Sequence, residues 1–371
     1  MSKAAELAKA GETLTNQPSG RKNIVTNGAM QVAQRATSAT GKTSAGYYAV
    51  DRNYSTIEDS GTWTITQTAD GPSGFANCLR YDCTTADAAV AAAARMMASF
   101  RLEGQDLQQL KKGTSDAEYF TISFWVKSNK TGNYVLGIYD HDTTDGRQVA
   151  KLYTINSADT WEYKSITYPP DTSGPLNDDN GLSLQLQFYL AAGTNWTSGT
   201  RQEAWAAVTA ANRAAGQAVQ LSDNTANDWS ITGVQMEIGS QATPFEHRSF
   251  GEELLLCQRY FFIGCSSTDA HTGGMANGSF RTTSNAQVLQ QHPVAMRTNP
   301  TTALRASGSV VIHDTNDGNN INVTAIDAVV MQSIKSTIFG LTLASASGVV
   351  GEGCWAYSAG GTPGITFDAE L

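Results

Sequence analysis

The sequence predicts an all-β protein: one β-sandwich domain followed by a second, C-terminal β-sandwich domain, with a short N-terminal helix and tail ahead of both. Three observations predict it. Short runs of alternating large and polar residues recur along the chain, separated by turns rich in Gly, Asn and Asp. Charged residues are only 16% of the chain, below the ~25% usual in soluble domains, so the Lys and Glu that clothe amphipathic helices are scarce. At 371 residues the chain exceeds the usual single-domain size, and each half can bury a core without metals or disulfides.

The elements follow in order. Residues 2–10 read as one short helix, capped by Ser2, filled by Ala, Leu, Glu and Lys, and ended by Gly11. It is too short to stand alone, and the polar linker 12–22 follows it. This segment is either a frayed tail or a docking peptide that orders on a partner. From Asn23 the strands begin, first at 63–68 and 79–83. Phe120, Ile122, Phe124 and Val126 share one face, and 134–139 is expected to pair with that strand across the turn 129–133. Further strands are expected at 149–155, 161–168, 182–190 and 229–238. Leu182, Leu184, Leu186 and Phe188 alternate with Ser183, Gln185 and Gln187, which predicts one buried face and one wet face.

Two helical interruptions are expected. One is 104–110, with Leu107 and Leu110 three apart, ahead of Lys111, Lys112 and Gly113. The other is the Ala-rich 201–216, with Trp205, Val208 and Ala211 at helical spacing. It reads as a helix lying on its own sheet, with a surface excursion or subunit contact as the alternative. Pro244 closes the first domain, and 252–257 is apolar enough to start a helix or strand. Strands resume at 259–264, 278–283, 286–291, 309–313, 321–325, 336–343, 351–357 and 365–367. No repeat of solenoid or propeller type recurs. The expected divisions are therefore 1–22, 23–250 and 251–371, with 229–260 as the junction. Glu246, His247 and Arg248 are expected there as polar contacts that fix the angle between the domains.

Charge and motif exclude several functions. The net charge is −9, without a basic cluster, which points away from nucleic acid. No apolar stretch approaches the ~18 residues of a membrane span, so no membrane insertion is expected. The N-terminus lacks a signal peptide's apolar core, which predicts a protein made in a cytoplasm. The five cysteines, without a CxxC, read as small buried thiols, with a Cys78–Cys83 bridge as the alternative.

No GxSxG, P-loop, GxGxxG before a helix or HExxH occurs. The histidines His141, His247, His271, His292 and His313 are isolated. Asp178, Asp179, Asp314 and Asp317 sit in hydrophilic turns. A glycosidase needs two carboxylates ~5–9.5 Å apart across a cleft with one pKa raised by burial, so no enzyme is expected. Asp140, Asp142 and Asp145 crowd one turn where hard oxygen ligands could hold a structural Ca²⁺, though without EF-hand spacing; no other cofactor is implied.

Aromatic residues are the better carriers of function, because sugars stack their C–H faces on flat rings while Asn, Asp and Gln bond the hydroxyls. Trp125 and Trp161 lie inside strand patterns and read as core. Trp196 is flanked by Gly and polar residues and is expected to be partly exposed. With Asn195 and Tyr189 it forms the candidate carbohydrate contact; packing is the competing role for Trp196.

A resemblance adds to this reading. The run from Lys22 to Arg35 (KNIVTNGAMQVAQR), then Tyr47 to Arg52 (YYAVDR), resembles the start of a domain common in bacteriophage appendage proteins. The runs from Leu102 to Gly113 (LEGQDLQQLKKG) and Ile122 to Gly132 (ISFWVKSNKTG) continue it, and Trp229 to Glu253 and Leu256 to Tyr260 close it. In this order the motifs cover most of residues 22–260 and are similar to phage tail-fibre-like proteins, especially those of marine podoviruses. The resemblance implies a jelly roll similar to carbohydrate-binding modules and a C-terminal β-domain at the tip as the receptor-binding candidate. It also implies docking of residues 1–22 on other virion proteins, a homotrimer, location in the virion, and attachment to a host surface glycan or receptor. The chain departs from a long fibre in lacking heptads, a collagen-like repeat or a β-helix repeat. A compact appendage on tail or capsid fits equally. The alternatives are a decoration or assembly protein that binds no sugar and, ranked last, a polysaccharide depolymerase.

Overall fold

The computed structural model describes residues 21–265, 276–316, 318–358 and 364–371. The expected helix at 2–10, all but the last two residues of the docking segment 1–22, His271 and Asp317 lie outside them. The described chain is all-β as expected, with only short helical turns and one helix of nine residues, Phe250–Gln258.

The first part is a two-sheet jelly-roll sandwich. One sheet has six strands in the order β1 (Ser38–Lys42), β4 (Thr62–Thr68), β5 (Cys78–Thr85), β13 (Asp228–Ile238), β7 (Phe120–Ser128) and β10 (Glu162–Tyr168). The other has seven, in the order β12 (Ala206–Ala207), β9 (Arg147–Ile155), β8 (Gly132–Asp140), β11 (Leu182–Ala192), β6 (Arg95–Glu103), β3 (Asn53–Glu58) and β2 (Gly46–Tyr47). Period-two alternation turns one side of each strand inward. Phe124 and Val126 from β7 therefore meet Tyr134 and Leu136 from β8, Phe188 from β11 and Trp229 from β13 in one apolar core. Rings interlock there edge to face, Phe124 against Phe188 at 5.0 Å and against Tyr153 at 5.2 Å.

Several expectations are corrected. The strands at 120–128 and 132–140 do not form a hairpin. They belong to different sheets, β7 pairing with β10 and β13, and β8 with β9 and β11. Their apolar faces find each other across the core, and the turn is bent over by the Tyr134 hydroxyl, which donates to Lys130 O at 2.6 Å. The Ala-rich 201–216 is no helix. Ala206–Ala207 pairs with β9, one 3₁₀ turn follows at Ala210–Asn212, and Trp205 anchors the run by donating from Nε1 to Pro169 O at 2.9 Å. The interruption at 104–110 is two 3₁₀ turns, Gly104–Asp106 and Gln108–Leu110, not a helix. Trp125 and Trp161 are half-buried on the outer face of the six-stranded sheet; the core tryptophans are Trp63 and Trp229. Strands β1, β3 and β6 were not expected, because Ser, Thr and Asn interrupt the alternation of β1 and β3, and β6 reads as a continuous run buried on both faces.

The chain then enters the helix Phe250–Gln258, capped by Ser249, whose Oγ accepts from Glu252 N at 3.3 Å. Beyond it a three-stranded sheet orders β14 (Phe261–Gly264), β22 (Ile365–Asp368) and β17 (Thr301–Leu304). The expected second sandwich takes a sharper form. Six strands close into a barrel in the order β15 (Ala276–Thr282), β16 (Asn285–Gln291), β20 (Ser336–Leu343), β19 (Asn320–Gln332), β18 (Val310–Asp314) and β21 (Gly353–Ser358). This part has its own apolar cluster, centred on Phe262, Phe280, Phe339 and Phe367. Strand β19 is far longer than the expected 321–325 because its second half carries apolar residues that are not buried.

The junction is held only partly as expected. Glu246 accepts from the amides of Lys22 and Asn23 at 2.7 and 2.6 Å, and Arg248 donates to Asn23 O and Val25 O. His247 lies 5.2 Å from the Phe75 ring. Glu246 and His247 fasten the connector to the first part, while Arg248 also pairs with Glu253 of the following helix at 3.3 Å. Further residues lock the two parts. Arg259 makes a two-pronged bond to Glu103 at 2.7 and 2.9 Å, Arg52 pairs with Glu370, Arg35 bonds Asp368 at 2.9 Å, and Gln34 donates to Phe261 O at 2.7 Å. All five cysteines are buried free thiols.

Candidate carbohydrate site

Strand β11 runs through the middle of the seven-stranded sheet. Its inward residues Leu184, Leu186 and Phe188 join the core, and its outward residues are Ser183, Gln185, Gln187 and Tyr189. The outward face was expected to be wet, yet Ser183, Gln185, Gln187 and Tyr189 are all buried. The cover is the segment 193–220, which folds back over the sheet: Ala214 N donates to Trp196 O at 2.9 Å, and Gln217 Nε2 donates to Tyr189 O at 3.2 Å. Beneath it a small apolar cluster forms from Met97, Val135, Ala150, Tyr189, Ala192 and Ala214.

The cover leaves a polar strip along its edge. The register sets Gln185 between Tyr139 of β8 and Arg101 of β6, and Gln187 beside Ser99, which in turn faces Tyr54 of β3. A hydrogen-bonded ladder runs down it. His141 Nε2 lies 3.2 Å from Gln185 Oε1, which also accepts from Gln187 Nε2 at 3.1 Å. Gln187 Oε1 accepts from Arg213 Nη2 at 3.0 Å and from the Tyr189 hydroxyl at 3.2 Å. The guanidinium of Arg101 lies over the Tyr54 ring at 3.4 Å, and that of Arg213 over Tyr139 at 4.5 Å. Tyr139 and His141 stand 4.5 Å apart between ring centres. His141 is exposed, while Tyr54, Arg101, Tyr139 and Arg213 are half-buried, so rings and donors line a rim above buried amides.

Three buried atoms on this strip have no hydrogen-bond partner: Ser99 Oγ, Arg101 Nε and Arg213 Nε. Atoms away from the strip share this state, among them Trp229 Nε1 and Ser230 Oγ, so the rim groups above it are the ones a ligand would meet. Though the residue is exposed overall, partial desolvation of its ring lowers the His141 pKa, the bond to Gln185 opposes this, and the charges of Arg101 and Arg213 lower it further, which favours the neutral imidazole. Flat ring edges beside amides, guanidiniums and a neutral imidazole can stack a sugar ring and bond its hydroxyls.

The residues singled out from sequence fare unequally. Trp196 borders the strip, with Nε1 donating to Ala93 O at 2.9 Å and with Arg95 and Arg213 over its ring at 4.2 and 5.3 Å, so its ring packs against cations. Asn195 is exposed, and its amide donates to Ala92 O. Tyr189 is corrected: it is fully buried under the cover and meets no solvent. The calcium set is not brought together. Asp140 is fully buried and held by Lys112 Nζ, Asp142 is held by the backbone amide and side chain of Asn177, and Asp145 is exposed. No group of three metal-binding side chains occurs among the described residues. Sequence reading missed Tyr54, Arg101, Tyr139, His141, Gln185, Gln187 and Arg213. The signal was available for part of them, since Gln185, Gln187 and Tyr139 occupy the outward positions of strands that were recognised.

Two other features compete. A cavity of about 380 Å³ lies among Leu107, Gln108, Lys111, Lys112 and Leu176, but its cations are paired with Glu118 and Asp140, and no ring lines it. The outer face of the six-stranded sheet carries an aromatic row. Phe75 packs on Phe245 at 5.0 Å, Phe75 and Trp125 flank Gly233, and Trp125 lies 5.4 Å from Tyr163.

Comparison with known proteins adds likenesses of fold. No family model matches the chain, and no curated protein does. Among solved structures, a putative sugar binding protein from Bacteroides thetaiotaomicron is 14% identical, covering 59% of this chain and 100% of that one, with a TM-score of 0.33. A family 11 carbohydrate-binding module of Clostridium thermocellum is 11% identical over 62% of this chain and 100% of its own, at a TM-score of 0.29. The enzymatically active domain of tailspike protein 4 from bacteriophage CBA120 is 12% identical over 58% of this chain, at a TM-score of 0.30. This chain spans only 21% of that tailspike.

Proposed function

We propose that this chain is a carbohydrate-binding appendage protein of a bacteriophage virion, attaching the particle to glycans on the surface of its bacterial host. The observation that carries the binding function is the strip between β8, β11 and β6, where half-buried tyrosines flank buried glutamines and unsatisfied donors. The virion role rests on the resemblance of residues 22–260 to phage appendage proteins. So do the homotrimer and the docking of residues 1–22 on other virion proteins. Binding is favoured over hydrolysis because Asp140, beside His141 in the chain, is taken up by Lys112 and by the amide of Asp142. A decoration protein without sugar binding is the competing role.

The test is binding of the purified chain to host surface polysaccharide and to a glycan array. Tyr139→Ala and Gln187→Ala should each weaken saturable binding by roughly tenfold or more, the effect of losing one stacking or bonding contact. Trp125→Ala, on the opposite sheet, should leave it unchanged. If Trp125→Ala abolishes binding while Tyr139→Ala does not, the site belongs to the aromatic row of the six-stranded sheet. Absence of any binding favours the decoration role.

A further inference from the structure

We infer that the C-terminal barrel carries a second saccharide site, a slot between Trp355 and Leu289 that takes a neutral pyranose. It stands on the outer face of the barrel, apart from the strip between β8, β11 and β6. Strand β15 lies between β21 and β16, and the register sets Asn277 opposite Trp355 on one side and opposite Leu289 on the other. Two residues further along, Ser279 faces Gly353 and Gln287 in the same way. These positions share the outer face, since Ala276, Phe280, Val288 and Ala356 turn inward to the core. Trp355 therefore forms one wall, Leu289 and Gln287 the other, and Asn277 and Ser279 the floor. Two strand spacings, roughly 10 Å, separate the walls, room for one sugar ring standing parallel to the indole. Gly353, next on this face of β21, places no side chain beside the indole.

The indole is propped from behind. His313 of β18 stacks on it, ring centres 4.7 Å apart and planes 15° from parallel. Asn320 Oδ1 fixes that imidazole, lying 2.8 Å from His313 Nδ1, and accepts from the Tyr357 hydroxyl at 3.2 Å. His313 covers the face of Trp355 towards β18, so the other face looks over Asn277. Trp355 is half-buried, and Asn277, Ser279 and Leu289 are exposed. Three other half-buried tryptophans, Trp161, Trp196 and Trp205, each donate Nε1 to a backbone carbonyl. Trp355 Nε1 donates to no described group, and the side chains of Asn277, Ser279 and Gln287 bond none.

Chemistry selects the ligand. The C–H face of a pyranose stacks on a flat ring, and its hydroxyls both donate and accept, as amides and a serine hydroxyl do. A ring already fixed in place loses little freedom when a ligand arrives. No charge stands in the slot. Arg281, on the same strand, is four residues beyond Asn277, roughly 13 Å along it. Asp314 is buried, and Glu352 accepts from Asn316 Nδ2 at 3.0 Å. An acidic group on the sugar would find no cation beside Trp355, so the slot suits a neutral one.

The experiment separates this slot from the strip. The full chain carrying Tyr139→Ala and Gln187→Ala is run through native gels containing dextran, mannan or galactan. At least one of these neutral polysaccharides should retard it, equally at low and high salt. Trp355→Ala added to that chain should abolish the retardation. Asn277→Ala should raise the dissociation constant roughly fivefold or more, the effect of one hydrogen bond. The second variant guards against misfolding, because the Asn277 side chain is exposed and bonds nothing in the protein among the described residues; thermal unfolding checks both. No retardation by any of the three overturns the inference, as does retardation that Trp355→Ala leaves unchanged or that salt removes. In each of those cases, host polysaccharide bound by the wild type through Tyr139 keeps the reading of the strip intact.

Discussion

Asp51 shows how much a single buried carboxyl can govern. It sits 1% exposed at the junction, accepting from Gln34 N at 3.0 Å and Gln34 Nε2 at 2.6 Å, with an Arg35 nitrogen at 3.9 Å. Burial raises its pKa to about 6, Glu370 adds to the rise, and Arg35 and Gln34 only partly offset it. A carboxyl whose folded pKa is raised keeps its proton better in the folded state, so its contribution falls as pH rises from about 4 towards 6. The wild type should therefore lose on the order of 2 kcal/mol relative to Asp51→Asn across that window. Urea unfolding at stepped pH checks this, and a wild type that gains on the variant with rising pH contradicts it. At this scale sequence reading was weakest. Asp51 and Arg101 carry no local sign of their surroundings, which come from residues far along the chain.

At the scale of elements, β13 carries a bulge. Its register with β7 shifts between Thr232 and Gln235, and Gly233 there has φ +62°, a conformation that costs any side-chain-bearing residue about 1–2 kcal/mol. A Cβ at Gly233 would also come within 2.7 Å of the Phe75 ring and 3.2 Å of Trp125. Gly233→Ala should lower stability by about 1–3 kcal/mol, summing backbone and contact costs. It should also shift tryptophan emission to the red as the aromatic row opens; an unfolding midpoint equal to wild type would refute the role given to the bulge. The strand at 229–238 was legible from its alternation. The bulge was not, because a glycine in a strand pattern marks either a bulge or a close approach, and here it is both.

In the whole molecule, a surface suited to the proposed association of copies lies along β19. Strand β19 pairs with β20 along most of its length but with β18 only at Asn320–Asn322. Its remaining edge exposes Val329, Val330 and Met331 (44, 43 and 67%), with Ile334 following at 41%. An unprotected apolar edge is a template for pairing with another chain. Sedimentation should give three times the 39.5 kDa chain mass, and Val330→Lys with Met331→Lys should return it to one. Single-chain mass for the wild type at every concentration, residues 1–22 included, removes the trimer, and a trimer that survives both substitutions moves its interface elsewhere.

The all-β class, the inward face of strands such as β7 and β11, and the lack of a recognisable catalytic motif were legible in the residues alone. These are local properties: a period of two and the residues of a turn set them within a few positions. Which strands share a sheet, the folding of 193–220 over the outward face of β11, and the placing of Arg101 beside Gln185 and of Arg213 beside Gln187 emerge only from the fold. Alternation says which side of a strand faces the core, but not which strand lies beside it or what covers its other side. Those depend on contacts between residues far apart in the chain, and the candidate site is made of such contacts.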